Sequence, residues 1–110
     1  MERIQLFNLE TPNIKISMEL YFNEKGQLLF DGHDIGEAVE KWWGDSDYEY
    51  CYTNEPLDVE KLYSILEVTP GERNSLLLKL KKRFGTNTAY SDFGKFMNEN
   101  SIEYKPFTWT

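Results

Sequence analysis

Three carboxylates at alternate positions are the residues of this chain whose spacing most directly suggests chemistry. Asp45, Asp47 and Glu49 are each separated by one residue, and a hard cation such as Ca²⁺ prefers several oxygen ligands of this kind. An EF-hand loop, however, needs glycine at its sixth position, where this chain has Tyr50. We therefore interpret Asp45 and Asp47 as turn and capping residues and Glu49 as a solvated strand residue. The sequence predicts no metal and no cofactor.

His33 is the single histidine and lies between Gly32 and Asp34. An imidazole beside a carboxylate can act as a general acid or base if a nucleophile or a second titrating group lies alongside. The neighbouring sequence offers no signature of such a partner, so a turn histidine with local hydrogen bonds is the favoured interpretation. Cys51, the single cysteine, has acidic neighbours that disfavour its thiolate, and we interpret it as structural.

These residues all belong to the stretch 31–53, which reads as a turn, a short helix, a second turn and a strand. Asp34 is the expected N-cap of the helix, and Gly44 is its expected end. The apolar residues recur at the spacing of one helical face, and the strand alternates tyrosines with polar residues. The apolar residues of the helix are Ile35, Ala38, Val39 and Trp42, and the tyrosines are Tyr48, Tyr50 and Tyr52.

The flanking sequence supplies further strands and helices. The clearest strand is 14–22, which turns through residues 23–26 into a hairpin partner at 27–30. Helices are expected to begin at Asp58, at the Thr69-Pro70-Gly71-Glu72 capping box and at Thr88. Residues 101–109 form a last strand, which Pro106 confines to an edge or a bulge. We predict a single α+β domain over 1–110, with a largely antiparallel sheet of four to five strands and three to four helices mainly on one face.

The formal charge is −7 and is unevenly distributed. Residues 1–68 contain 15 acidic and 5 basic residues, whereas residues 69–110 contain 4 acidic and 7 basic residues. Nucleic acid is disfavoured as a partner because phosphate neutralisation needs a concentrated basic surface. A basic protein is the electrostatically favoured partner. One cysteine and no long apolar stretch predict a cytoplasmic protein that does not associate with membranes.

The acidic residues also predict an interaction surface, because an aromatic side chain surrounded by charges is typical of protein interfaces. Such a surface has a plainer explanation too, since acidic groups keep small proteins soluble. The predicted surface comprises Glu37, Glu40, Trp43, Asp45, Asp47 and Glu49.

Several blocks of this sequence resemble a group of small bacterial proteins that have no established activity. The most specific block is Gly44-Asp45-Ser46-Asp47-Tyr48-Glu49-Tyr50, and the resemblance spans most of residues 28–109. The chain is also similar, in size and charge alone, to the immunity proteins of bacterial polymorphic toxin systems. Those proteins neutralise a toxin domain by binding it, often by covering a basic active site with acidic side chains. Further positions of the first resemblance are Gly32, Asp34, Gly36, Arg83-Phe84-Gly85, Ile102, Tyr104, Phe107 and Trp109.

The favoured functional hypothesis is therefore a non-enzymatic domain that binds a basic protein, as an immunity or inhibitor protein does. One alternative is a small enzyme or ligand-binding domain with a pocket near His33 and the tyrosine strand. A second alternative is a subunit that self-associates through Leu78 or an edge strand.

Overall fold

The computed structural model describes residues 2–44 and 47–109, except for the side chains of Ala38, Trp42 and Trp43. Within this part of the chain, three strands are followed by a short helix, a fourth strand, three helices and a last strand. Their bounds, in chain order, are β1 Arg3–Glu10, β2 Lys15–Phe22, β3 Leu28–Ile35, α1 Glu37–Trp43, β4 Asp47–Asn54, α2 Pro56–Ile65, α3 Arg73–Phe84, α4 Ala89–Glu99 and β5 Lys105–Trp109.

The five strands form one antiparallel sheet in the order β1-β2-β3-β4-β5. Each strand therefore pairs with its neighbour in the sequence, although α1 lies between β3 and β4 and three helices lie between β4 and β5. This architecture confirms the predicted α+β class. It also confirms that the last strand, which contains Pro106, is an edge strand, where a residue without an N–H group is tolerated.

One face of the sheet, here called the covered face, packs against α2, α3 and α4. Alternate residues of the strands are buried there, as the period of two requires. The helices contribute leucines and aromatic residues to the same cluster, and burial of this apolar surface is the main force that stabilises the fold. The buried strand residues include Ile16, Met18, Leu20, Leu28, Phe30, Tyr50 and Tyr52, and the helical ones include Leu62, Leu76, Leu77, Leu80, Phe93 and Met97.

Tyr50 and Tyr52 of β4 are buried in this core, and Tyr48 packs against it. The Tyr52 ring stacks on Tyr90 of α4 with 4.0 Å between centroids, and it meets Phe30 edge-on at 6.0 Å. A side chain at Gly94 would collide with the Tyr52 hydroxyl, so the absence of a Cβ lets α4 approach the sheet this closely.

The predicted turn after residue 30 is wrong. β3 continues to Ile35, and Asp34 lies within this strand instead of capping α1. The helix begins at Glu37 after Gly36, whose φ of 134° suits glycine, and no side chain caps it. The strand continues because residues 28–35 pair with β2 on one side and with β4 on the other, which satisfies backbone groups on both edges.

The predicted starts of two other helices are also wrong. α2 begins at Pro56, and Asp58 is a buried residue of its first turn that accepts a hydrogen bond from the Glu103 N–H at 3.2 Å. α3 begins at Arg73, after the proposed capping box instead of within it. The predicted ends are confirmed, because Gly44 adopts the left-handed conformation after α1 and Gly85 follows α3.

Candidate functional site

The opposite side of the sheet carries the candidate site. We use the name open face for the outward-pointing side chains of β3, β4 and β5, none of which is fully buried. They line much of a shallow concavity of about 670 Å³. The open face comprises Leu29, Asp31, His33 and Ile35 of β3, Asp47, Glu49, Cys51 and Thr53 of β4, and Lys105, Phe107 and Trp109 of β5.

Two aromatic side chains dominate one border of the open face. Phe107 is 56% exposed and Trp109 is 65% exposed, and alternation along β5 puts both on the same side of the sheet. Trp109 pairs with Glu49 across the strands, and Phe107 pairs with Cys51. Large apolar surfaces therefore lie directly beside acidic side chains, and exposed apolar surface of this kind marks interaction sites.

The centre of the open face brings an imidazole together with two carboxylates. His33 pairs with Glu49 across β3 and β4, and Asp47 lies diagonally opposite on the same face. The Nε2 atom of His33 contacts Oδ1 of Asp47 and lies 3.9 Å from Oε1 of Glu49. His33 is thus a strand residue with cross-strand acidic partners, and the prediction of a turn histidine with only local bonds is wrong.

The electrostatics of the open face are predominantly acidic. Among the described residues, the ion pairs of Asp47 and Glu49 involve His33 and no lysine or arginine. Burial raises the pKa of the Cys51 thiol, and the negative charges of Asp31 and Glu49 raise it further. This direction disfavours the thiolate, and the interpretation of Cys51 as a structural residue stays a prediction.

A second polar group lies on the covered face, behind the open face. The Tyr50 hydroxyl donates to Oδ1 of Asp34 at 2.7 Å, and the Tyr50 ring lies over Gly32. Burial raises the pKa of Asp34, and the hydrogen bond from Tyr50 opposes this shift only in part. Alternation along β3 and β4 directs His33 and the tyrosines to opposite faces, so these side chains do not converge on one reaction centre.

The structure brings together only part of the surface predicted from the sequence. Asp47 and Glu49 lie next to each other on the open face, and Glu37 and Glu40 are exposed on α1. Asp45 and the side chain of Trp43 lie outside the described part of the chain. Three other residues of the open face are absent from the surface predicted from the sequence, namely Asp31, Phe107 and Trp109.

A usable signal for the two aromatic residues was present in the sequence. Phe107 and Trp109 are two positions apart in a predicted edge strand, which places them on one face. The alternation alone does not say whether that face is covered by helices or open to solvent.

Comparison of this chain with protein-family models, with curated proteins and with solved structures found no match. In the part of the chain that the structure describes, no helix has the length and apolar character needed to cross a bilayer. The function is therefore inferred from the open face itself.

Proposed function

We propose that this chain is a non-enzymatic protein-binding domain whose open face docks a basic segment of another protein, as an immunity or inhibitor protein does. One observation carries the proposal: the helices α2 to α4 pack on the covered face, which leaves Phe107 and Trp109 exposed beside Asp31, Asp47 and Glu49. An exposed aromatic group with charged neighbours has the composition of a binding hot spot and its rim.

The aromatic side chains supply affinity in this proposal. Covering the exposed parts of Phe107 and Trp109 removes apolar surface from water, which at the usual coefficient is worth roughly 3 kcal/mol for each side chain. Both residues belong to a strand whose backbone is fixed by pairing with β4. Little chain ordering is therefore needed when a partner binds, and ordering is a major cost of association.

The carboxylates supply selectivity and steering. Asp31, Asp47 and Glu49 lie on two adjacent strands, so their charges act together on an approaching partner. A lysine- or arginine-rich segment gains from this field, and an acidic segment is repelled. The excess of negative charge in residues 1–68 extends the same preference over a larger part of the molecule.

A capture experiment with matched variants tests the proposal. The chain is immobilised and exposed to a lysate of the cells that encode it, beside a face variant that combines Asp31→Asn, Asp47→Asn and Glu49→Gln. The control variant combines Glu24→Gln, Glu60→Gln and Glu99→Gln, which are exposed positions away from the open face and change the charge by the same amount. A specific partner is a lysate protein that both the immobilised wild type and the immobilised control variant capture and that the face variant does not capture.

Titration of the purified partner then completes the test. We expect the face variant to bind at least about tenfold more weakly than the control, with a smaller dependence on salt concentration. Equal affinities of the two variants would contradict the proposal. Sedimentation of the isolated chain over a range of concentrations addresses the alternative of self-association, in which the apparent mass rises with concentration.

A further inference from the structure

The contact between His33, Asp47 and Glu49 has the composition of a metal site. The three residues offer one imidazole nitrogen and two carboxylate oxygens, and these donor atoms all lie within 4.8 Å of one another. Ligands bound to one metal ion at about 2.1 Å are separated by about 3–3.5 Å when they are adjacent in the coordination shell. Small rotations of these side chains, which are half-exposed or exposed, are enough to move the His33 and Asp47 donor atoms slightly apart and the His33 and Glu49 donor atoms closer, into this range.

The strand pairing holds the three residues in place. His33 and Glu49 are direct cross-strand partners, and Asp47 precedes Glu49 by two residues on the same face. β3 and β4 are interior strands of the sheet, and His33 and Glu49 each have a paired strand on both sides, whereas Asp47, the first residue of β4, pairs with Ile35 of β3. The backbone positions of the three ligands are therefore set by strand pairing before an ion binds. A set of acidic groups on a flexible loop has no such preorganisation.

The charge balance of the cluster also favours a cation. The carboxylates of Asp47 and Glu49 lie close together and repel each other when both are ionised. Within the described residues their only basic neighbour in an ion pair is the imidazole of His33. A divalent cation neutralises both carboxylates and accepts the imidazole as a neutral ligand, which relieves the repulsion that the single imidazole only partly offsets.

The donor types indicate which cations fit. Ca²⁺ and Mg²⁺ prefer ligand sets made entirely of oxygen, whereas imidazole combined with carboxylates suits first-row ions such as Zn²⁺. We infer that His33, Asp47 and Glu49 form a surface site for a divalent first-row metal ion, with its remaining coordination positions open to the concavity of the open face. This inference does not rest on the proposed protein partner, and a bound ion would compete with cationic groups of such a partner for Asp47 and Glu49.

Zinc titration of the untagged protein tests the site, because His33 is the only histidine and its imidazole resonances report on one place in the molecule. We expect Zn²⁺ to shift these resonances with a stoichiometry of one ion per chain. Each of His33→Gln, Asp47→Asn and Glu49→Gln should weaken zinc binding about tenfold or more, as measured by calorimetry, because each removes a ligand. Amide and proton spectra confirm that each variant is folded.

The controls separate this site from weaker forms of zinc binding. Cys51→Ser and Glu60→Gln should leave the zinc affinity unchanged, and Ca²⁺ at the same concentration should leave the imidazole resonances unmoved. Unshifted imidazole resonances with Zn²⁺ would overturn the site. It would also be overturned by zinc binding that needs His33 but neither carboxylate, or by an equal response to Ca²⁺.

Discussion

The hydroxyl of Tyr50 donates a hydrogen bond to the carboxylate of Asp34 at 2.7 Å, from β4 to the adjacent strand β3 on the covered face. The pair lies directly behind the acidic open face and fixes β4 to β3 by a side-chain bond in addition to the backbone pairing. Burial of the Asp34 carboxyl makes this bond important, because an ionised group that loses its donor in a partly buried place is costly.

Removing the hydroxyl tests this relationship. We expect Tyr50→Phe to lower the free energy of unfolding by about 1–2 kcal/mol, since the hydrogen bond to a carboxylate is lost and the half-buried acceptor is left without its donor. Chemical denaturation measures the change. Tyr104→Phe is the matched control, because the Tyr104 hydroxyl donates to the Asn98 side chain at 2.9 Å in an exposed place. Equal losses in the two variants would show that burial gives the Asp34 bond no extra weight.

Asp34 should also make stability depend on pH. Burial raises its pKa above the ordinary value of 3.8, so the folded chain holds this proton more tightly than the unfolded chain does. The resulting stabilisation is complete below pH 3.8 and is lost as the pH rises through the folded-state pKa. Asp34→Asn keeps an acceptor for Tyr50 and cannot ionise. We therefore expect the stability of the variant relative to wild type to increase as the pH rises through this window.

Denaturant titrations of both proteins between about pH 3 and pH 7 measure this difference. Other carboxyl groups titrate in both proteins, so their contributions cancel when the two are subtracted. A difference that stays constant over the whole range would mean that Asp34 has the same pKa in the folded and unfolded chains.

Gly32 should tolerate no side chain while Tyr50 is present. A methyl group at Gly32 would overlap the Tyr50 ring, so Gly32→Ala should destabilise the fold by about 3 kcal/mol, at the upper end for overpacking. The same substitution in a Tyr50→Ala background should cost much less, because the ring that it meets is gone. Thermal or chemical unfolding of the four proteins gives the coupling energy. Independent effects of the two substitutions would refute the close contact.

The aromatic residues of the open face should contribute little to the stability of the isolated chain. Trp109→Ala and Phe107→Ala should each change the free energy of unfolding by less than about 1 kcal/mol, since both side chains are more than half exposed. Phe93→Ala is the comparison, because Phe93 is 1% exposed in the core and its loss should cost about 3–5 kcal/mol. A loss of about 3–5 kcal/mol in the free energy of unfolding for Trp109→Ala would mean that this side chain stabilises the fold and is not available to a partner.

The sequence predicts the parts of this fold that depend on local pattern. β2 and β4 alternate apolar or aromatic residues with polar ones because only one face of each is covered, and this alternation survives in the sequence alone. The glycines that end α1 and α3 are local signals as well, since the backbone after a helix favours residues without a side chain.

The extension of β3 could not be predicted in the same way. Asp31 to Asp34 have the composition of a turn, and they remain extended because strands on both sides pair with them. The cluster of His33 with Glu49 depends on the same register, which joins residues 16 positions apart. Local spacing therefore showed the alternating carboxylates of β4 but not the imidazole that faces them.

The open face could be identified only from the positions of the strands and helices together. Phe107 and Trp109 alternate with Pro106 and Thr108 on a five-residue strand, and either face of such a strand can be the buried one. The positions of α2, α3 and α4 determine which face is buried, and these helices lie on the face that holds Tyr50 and Tyr52.

A map of the surface that a captured partner protects is the sharpest test of the proposed binding role of the open face. Hydrogen exchange and side-chain chemical shifts of the chain, measured free and in the complex, identify the residues that the partner covers. The proposed function requires that changes concentrate on the open face, at Phe107, Trp109, Asp47 and Glu49, and that Leu78 on α3, which is 61% exposed, is unaffected. Protection centred on Leu78 and the surrounding surface of α3, with the open face unchanged, would contradict it.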